Sequence, residues 1–316
     1  MKVLVAGATG ALGRPLVRQL LDAGYPVIAV TRSPDQAQLL TQQGAIAVLL
    51  DMLDAAAVQS ALHRLQPHVV IDVLTALPQQ LTPDTMAAAA ALDDRTRRSG
   101  GGHLLMAAQA AGVRRYLLQS SAFWYAPGSG LAAEETPFAA AAPPAIAASI
   151  ALYAALEQRL ASAQDIEGLA LRYGFLYGAG TWYAPEGAVA HQVRQQQLPV
   201  VGAGQGVWSW VHVDDAAAAT VAAVEKGAVG AYNIVDDTPR QQHVWLPAYA
   251  HWLGANPPPH VAAADLEQTP GADLVYYATQ LRGATNAKAK QALGFQPRSL
   301  EWLAAPVSPE SAPCTH

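Results

Sequence analysis

The sequence predicts an α/β protein with a doubly wound parallel sheet and a smaller C-terminal lobe. Short apolar runs alternate with helical stretches through the first two thirds of the chain. This alternation is typical of a parallel sheet that helices cover on both faces. The first unit of the pattern carries three evenly spaced glycines, and after Gly178 the alternation gives way to turns rich in Pro, Gly and Trp.

The first unit begins with an apolar run that ends at Ala6 and continues into the glycines. A helix-compatible segment, 15–23, and a second apolar run, Val27–Val30, follow. Strand, glycine-rich turn, helix and strand in this order predict a dinucleotide site, where the glycines permit a tight turn and close approach of the pyrophosphate. We expect the phosphates at the start of the helix, against Gly7, Thr9, Gly10, Ala11, Leu12, Gly13 and Arg14.

The end of the second strand predicts which dinucleotide binds. NAD sites usually place Asp or Glu about 20 residues past the glycines, where it binds the ribose 2′-hydroxyl. This chain has Thr31-Arg32-Ser33 there and no carboxylate before Asp35. Because a guanidinium suits a 2′-phosphate, Arg32, with Arg14 nearby, favours NADP(H) over NAD(H). The alternative is that Arg32 is a solvated loop residue.

Further elements follow from the same patterns. Strands are predicted at 45–50, 68–74, 115–119 and 169–172, with crossover helices at 54–65, 97–111 and roughly 150–163. The Ala- and Pro-rich stretch 132–148 is expected to be a loop or insert outside the core. We expect residues 1–178 and 207–240 to form the NAD(P)-binding domain, and residues 179–206 and 241–316 to form a smaller substrate-binding lobe.

Composition restricts the class of protein. The chain has 316 residues, 52% of them hydrophobic, which suits one sheet domain with a smaller lobe. Only 14% of residues are charged and the net charge is −5, which argues against a nucleic-acid surface. The single cysteine, Cys314, allows no internal disulfide. With no signal-like N-terminus and no apolar run of membrane-spanning length, we expect a cytoplasmic protein without membrane or metal.

Six motifs occur in order along residues 1–240: Gly7-x-x-Gly10-x-x-Gly13, Leu50–Asp54, Gln119–Tyr125, Leu171–Gly178, Trp210–Ala216 and Tyr232–Asp237. In this order they resemble the atypical extended short-chain dehydrogenase/reductases, the NAD(P)-dependent epimerase/dehydratase group, which folds as a Rossmann sheet. The segment Lys288–Pro297 resembles the usual C-terminal ending of that group.

The resemblance implies roles for single residues. Asp51 would accept a hydrogen bond from the adenine amino group, with Met52 packed on the ring. Ser121 would hydrogen-bond the substrate atom that reacts, although Ser120 and Ser121 could instead only close off a strand. The other implied cofactor contacts are Leu74, Thr75, Ser120, Tyr173 and Phe175.

The catalytic pair of the resembled family is a Tyr and a Lys four residues apart, on one helix face, where the Lys lowers the pKa of the phenol. Tyr153 lies in the corresponding helix, but Glu157 follows four residues later. A second alignment places Ser149 at the tyrosine position and Tyr153 at the lysine position, and both alignments lose the lysine. In the second, we expect the Tyr153 ring to point toward the nicotinamide ribose, and Glu157 to face solvent or a neighbouring helix.

Three functions remain open. The first is an NADP-dependent oxidoreductase that transfers hydride to or from a small carbonyl- or imine-type substrate, polarised by Ser121 and a tyrosine, either Tyr153, Tyr125 or Tyr177. The second is a sugar-nucleotide epimerase or dehydratase, whose diphosphate could be held by Arg194, Arg240 and Arg282. The third is a non-catalytic NADP-binding sensor.

Aromatic residues of the lobe suit a small, fairly apolar substrate, although each one alone is explained equally well by packing. The expected substrate contacts are Trp124, Tyr125, Tyr177, Trp182 and Tyr183. The helices 97–111 and 150–163 are rich in alanine, and in the resembled family such helices often form a dimer interface. We therefore expect a homodimer.

Overall fold

The computed structural model describes residues 1–267 and 271–304, so Cys314 lies outside the described residues. Its strands are β1 (Val3–Ala6), β2 (Val27–Thr31), β3 (Ile46–Leu49), β4 (Val69–Asp72), β5 (Arg115–Ser121), β6 (Glu167–Tyr173), β7 (Phe175–Tyr177), β8 (Val200–Val201), β9 (Val207–Trp208), β10 (Trp210–His212), β11 (Gly230–Ile234), β12 (Arg240–Gln241) and β13 (His260–Val261).

The helices of the same residues are α1 (Gly13–Asp22), α2 (Pro34–Gln42), α3 (Ala55–Leu65), α4 (Pro83–Arg95), α5 (Gly101–Ala110), α6 (Pro144–Ala161), α7 (Ala188–Arg194), α8 (Val213–Ala223), α9 (Gln242–Trp252), α10 (Ala263–Glu267), α11 (Ala272–Thr279), α12 (Ala287–Leu293) and α13 (Glu301–Ala304). A π-helical turn, Thr96–Gly100, joins α4 to α5. No helix in the described part of the chain combines the length and apolarity needed to cross a bilayer.

Seven strands form one parallel sheet in the spatial order β3-β2-β1-β4-β5-β6-β11. The strand order reverses between β1 and β4. In sheets of this kind, ligands bind outside the carboxyl ends of the strands at such a reversal. The doubly wound α/β fold expected from the sequence is confirmed.

Both faces of the sheet are apolar, as required for strands covered by helices on both sides. On one face Leu16 of α1 and Ala217 of α8 pack against β1 and β6. On the other face Leu62 of α3, Leu104 of α5 and Leu156 of α6 pack against β1, β4 and β5. The sheet therefore presents a fixed carboxyl edge on which polar side chains can be positioned.

Two predicted boundaries are wrong. The helix expected to begin at residue 97 is continuous with α4 through the π-helical turn, so helical structure begins at Pro83. Thr82 caps α4 by accepting the Thr85 N–H. The stretch 132–148 does not lie outside the core, because Ala132 and Ala139 are buried and α6 begins within this stretch, at Pro144. Composition misled the prediction here, since alanine is small enough to pack as tightly as larger apolar residues when the neighbouring backbone approaches closely.

A third core is aromatic and joins the end of the sheet to the C-terminal part of the chain. It packs Trp124 and Phe175, which follow β5 and begin β7, against Tyr183, Trp245 and Trp302. Three short pairs, β7 with β10, β8 with β13 and β9 with β12, connect the same regions. The aromatic core therefore closes over the carboxyl ends of β5 and β6.

Candidate active site

The glycine-rich turn lies between β1 and α1, where the strand order reverses. A Cβ at Gly7, whose φ is +93°, would lie 2.4 Å from the Val73 carbonyl oxygen, and a Cβ at Gly13 would lie 2.1 Å from the Gly7 oxygen. A Cβ at Gly10 would meet only the Gly7 oxygen, at 3.4 Å, so its outer side is open. No side chain among the described residues caps the N-terminus of α1. Arg14 donates its N–H to the Gly10 carbonyl oxygen and Pro15 has no N–H, so the N–H groups of Leu12 and Gly13 are the ones available to an anion. This turn fits a pyrophosphate.

Two arginines border the space beside the end of β2. The Nε of Arg14 donates to the Thr9 carbonyl oxygen at 2.9 Å, and its Nη2 reaches Gln36 of α2 at 3.4 Å. Arg32 is exposed and forms no hydrogen bond or ion pair with residues 1–267 or 271–304. No carboxylate lies between the end of β2 and Asp35 in the first turn of α2, so the two guanidinium groups are the charged groups at the end of the strand itself.

The residues predicted around the adenosine follow β3 and β4. Asp51 is exposed and its Oδ1 accepts the Leu53 N–H at 3.0 Å. Met52 is buried in the core beside α3 and α5. After β4, Leu74 donates its N–H to Asp72 Oδ1 at 3.1 Å, and Thr75 is exposed.

Strand β5 ends in two serines whose side chains alternate in direction. The Ser120 hydroxyl donates to Glu157 of α6, so it is engaged beneath the helix. Its side chain therefore points to the face of the sheet that carries Glu157, away from the face that Ser121 occupies. Ser121 lies at the carboxyl end of β5, where its hydroxyl oxygen accepts the Phe123 N–H at 3.3 Å.

Glu157 faces the sheet and not solvent, contrary to expectation. Its carboxylate accepts Arg172 Nε at 2.8 Å and Arg172 Nη2 at 2.6 Å, and the two side chains are 14% and 9% exposed. Burial lowers the pKa of Arg172, but the hydrogen bonds that its guanidinium donates to Glu157, together with the nearby Tyr125, outweigh burial and raise the pKa, so the guanidinium stays charged. The pairing removes Glu157 from any acid/base pair with Tyr153.

Tyr153 lies beside a cation that the sequence analysis did not single out. The guanidinium carbon of Arg97 is 5.2 Å from the centroid of the Tyr153 ring, and Arg97 pairs with Asp93 at 2.8 Å. Burial raises the pKa of the Tyr153 phenol, and Arg97 opposes that rise. At neutral pH the phenol is therefore a neutral hydrogen-bond donor. In the sequence, the i,i+4 spacing of Asp93 and Arg97 was the signal that could have identified Arg97.

The alternative tyrosines are engaged elsewhere. The Tyr125 hydroxyl bonds to Asn233 and accepts Arg172 Nη1 at 3.0 Å, and burial raises its pKa to about 12. The Tyr177 hydroxyl donates to the Ser299 carbonyl oxygen at 3.5 Å. Both side chains are buried, so neither is placed to polarise a substrate.

Tyr173 is also directed away from the site. Its hydroxyl bonds to Thr220 of α8 at 2.6 Å inside the core, so its side chain does not line the nicotinamide as expected. The reason is the alternation of β6, whose last residue points toward α8. Of the expected substrate contacts, Trp182 donates its Nε1 to the Pro78 carbonyl oxygen at 3.0 Å.

A stack of aromatic rings lies next to Ser121. Phe123 stacks on Phe175 with ring centroids 3.9 Å apart, and Phe175 stacks on Trp208 at 4.1 Å. Trp124 and Tyr183 pack in the same cluster. Sequence reasoning gave Phe123 no role of its own and did not predict its stack with Phe175 and Trp208, since nothing local to these residues brings their segments together. The side chains packed beside Ser121 are therefore aromatic and apolar.

Comparison with known proteins agrees with this geometry. The model of the NAD dependent epimerase/dehydratase family matches residues 3–235. The chain is 43% identical over 304 residues to a 3-diazoavenalumate denitrifying reductase from Streptomyces sp, covering 96% of this chain and 98% of that one.

Solved structures show the same fold. UDP-glucose 4-epimerase from Thermotoga maritima has a TM-score of 0.74 at 21% identity, covering 96% of this chain and 95% of that one. A dTDP-glucose 4,6-dehydratase from Streptomyces venezuelae has a TM-score of 0.72 at 23% identity, covering 95% and 93%. The chain belongs to the NAD dependent epimerase/dehydratase family and is an oxidoreductase of that family.

Proposed function

We propose that this chain is an NADP-dependent reductase that delivers hydride to a small, flat, conjugated substrate, and that its acceptor is a diazo-bearing carbon. The observation that carries the proposal is the composition of the site. Ser121 stands beside the Phe123–Phe175–Trp208 stack, and Tyr153 is a phenol whose pKa is raised and not lowered. Such a site suits chemistry that needs little proton transfer from the protein.

Loss of dinitrogen is chemistry of this kind. The bound reduced dinucleotide supplies hydride. When hydride replaces the diazo group of a diazonium carbon, the C–N electron pair leaves with N2 and the C–H bond takes both hydride electrons. Atoms and charge balance without a proton from the protein. A carbonyl acceptor would instead depend on acid/base help worth about 10²–10⁴-fold. The full-length similarity to a denitrifying reductase supports the same choice.

The preference for NADP rests on the charge at the end of β2. Arg32 is exposed and unpaired within the described residues, and Arg14 reaches the first turn of α2 beside it. A 2′-phosphate would receive hydrogen bonds from a guanidinium there, whereas the 2′-hydroxyl of NAD would find no carboxylate. The turn at Gly7, Gly10 and Gly13 would hold the pyrophosphate.

A sugar-nucleotide epimerase or dehydratase is the weaker alternative. Its diphosphate would need free cations, but each candidate arginine is bonded to backbone carbonyls. Arg194 donates to Pro185, Arg240 to Pro239, and Arg282 to Ala126, Ser129 and Gly130. The epimerase and dehydratase structures share the fold with this chain at identities below 25%. A shared fold does not by itself imply a shared reaction.

Single-turnover oxidation of NADPH tests the proposal. The parent chain is mixed with NADPH and one member of a panel that contains a diazo compound in its aryl diazonium form with a conjugated carboxylate, its carbonyl analogue and a UDP-sugar. We expect NADPH absorbance to fall with the diazo compound, with one N2 released per NADPH as measured by mass spectrometry. Oxidation with the carbonyl analogue alone would overturn the acceptor class. Binding of NADPH without oxidation by any member would favour the sensor.

We also propose a homodimer through α5 and α6. A groove between these helices is lined by small or flexible side chains, among them Gly102 and Met106, and Arg159 lies at its base. Met106 is 70% exposed, and an isologous pairing of this face would cover it.

A further inference from the structure

Arg97 is a buried cation with a specific place in the fold. Its side chain is 4% exposed and lies in the π-helical turn Thr96–Gly100, a type of turn found frequently at functional sites. The next residue provides a comparison, because Arg98 forms the same i,i+4 pair with Asp94 at the same 2.8 Å, but with 40% and 48% exposure. Burying a guanidinium costs free energy even when it is paired, and Arg98 forms the same kind of pair at the surface. The inward direction of Arg97 therefore indicates a function beyond the ion pair.

Asp93 connects Arg97 to the loop after β4. One carboxylate oxygen accepts Arg97 Nε at 2.8 Å, and the other accepts the Ala76 N–H at 2.6 Å. That loop leaves the sheet at the reversal of strand order, beside the glycine-rich turn. On its other side Arg97 lies against Tyr153 of α6. A continuous set of contacts therefore runs from the predicted cofactor loop to the helix where the resembled family has its lysine.

The Tyr153 hydroxyl has its proton available. Arginine carries only donors, so Tyr153 cannot donate to Arg97, and it donates to no other residue among those the structure describes. Its side chain is partly exposed. A nearby guanidinium withdraws electron density from the phenol oxygen and strengthens the O–H as a donor.

We propose that Tyr153 donates this hydrogen bond to the nicotinamide ribose of the bound dinucleotide, with Arg97 as the positioning residue that supplies the charge of the absent lysine. The inference rests on the dinucleotide binding in the proposed function and not on its substrate. Asp93 fixes the position of the guanidinium.

Calorimetry with two ligands tests the pair. NADPH contains the nicotinamide ribose, whereas 2′,5′-ADP contains only the adenosine half. We expect Arg97→Gln and Tyr153→Phe each to weaken NADPH roughly tenfold, the size of one polarised hydrogen bond, and to change 2′,5′-ADP less than twofold. The double variant should be no more than twofold weaker than either single one, since the two residues act as a unit. Arg97→Lys should stay within threefold of the parent.

Arg98→Gln is the matched control and should leave both affinities unchanged. Equal weakening of NADPH and 2′,5′-ADP by Arg97→Gln would overturn the proposal, because it would show a general role in the fold. Unchanged NADPH affinity in Tyr153→Phe would overturn it as well, whether or not Arg97→Gln folds. If the parent prefers NADH, NADH and 5′-AMP replace the two ligands. A different result would contradict the proposed function: a parent that binds NADPH but does not oxidise it in the presence of the diazo compound.

Discussion

Replacing Glu157 by glutamine should destabilise the fold strongly although the change removes only a charge. Arg172 would stay buried, with 9% exposure, and lose the carboxylate that accepts its Nε and Nη2. Removing one partner of a buried ion pair costs about 3–5 kcal/mol. An unfolding entropy of about 2.1 cal/mol/K per residue, over 316 residues, is about 0.66 kcal/mol/K. The melting temperature should therefore fall by about 5–8 °C.

Circular dichroism melting at neutral pH measures this shift. Asp94→Asn is the control, because its pair with Arg98 is exposed and such pairs contribute at most about 1 kcal/mol. The double variant Glu157→Gln, Arg172→Met should recover part of the loss, since it leaves no uncompensated charge. A Glu157→Gln protein that melts within 2 °C of the parent would refute the reasoning.

Three further predictions concern separate regions. NADPH should bind at least tenfold more tightly than NADH, about 1.4 kcal/mol, and Arg32→Ala should remove most of that difference; equal affinities of the parent in calorimetry would refute the choice of cofactor. Burial raises the pKa of Asp236 to about 7, so the folded chain keeps a proton that the unfolded chain loses near its ordinary pKa of 3.8. Stability should therefore fall as pH rises from about 4 to 7, a slope that Asp236→Asn reduces more than Asp237→Asn does, as melting curves would reveal. Light scattering should show that the parent is a dimer and that Met106→Glu dissociates it. A parent that is monomeric at micromolar concentration would exclude the dimer.

Short sequence patterns predicted the turns, helices and strands whose structure depends on residues close together in the chain. The turn from Gly7 to Gly13 is one case, because a Cβ at Gly7 or Gly13 would clash with nearby backbone and the open side of Gly10 allows close approach of a ligand. The crossover helices and parallel strands follow likewise from the period of apolar residues. The cap of α4 was also readable, since Thr82 is followed by proline and by Thr85.

The remaining features depend on pairs far apart in the chain. Glu157 was expected to face solvent or a neighbouring helix, but it pairs with Arg172 of β6, a partner 15 residues away that no local pattern indicated. Ser120 and Tyr173 fall at motif positions, but the alternation of their strands turns both side chains into the interior. Arg97 was missed because a charged residue in a helix is usually solvated, and the π-helical turn redirects it.

The place of β11 at the edge of the sheet has a consequence during synthesis. Strand β6 pairs with β5 on one side, but its other edge is covered only by β11. Until the ribosome has added the whole segment 174–229 and then β11 itself, the backbone of Leu169 and Leu171 presents an open, apolar edge. Such edges recruit other chains into intermolecular sheets. Nascent chains that stall in this interval, or proteins truncated before residue 230, should depend on chaperones and form insoluble aggregates.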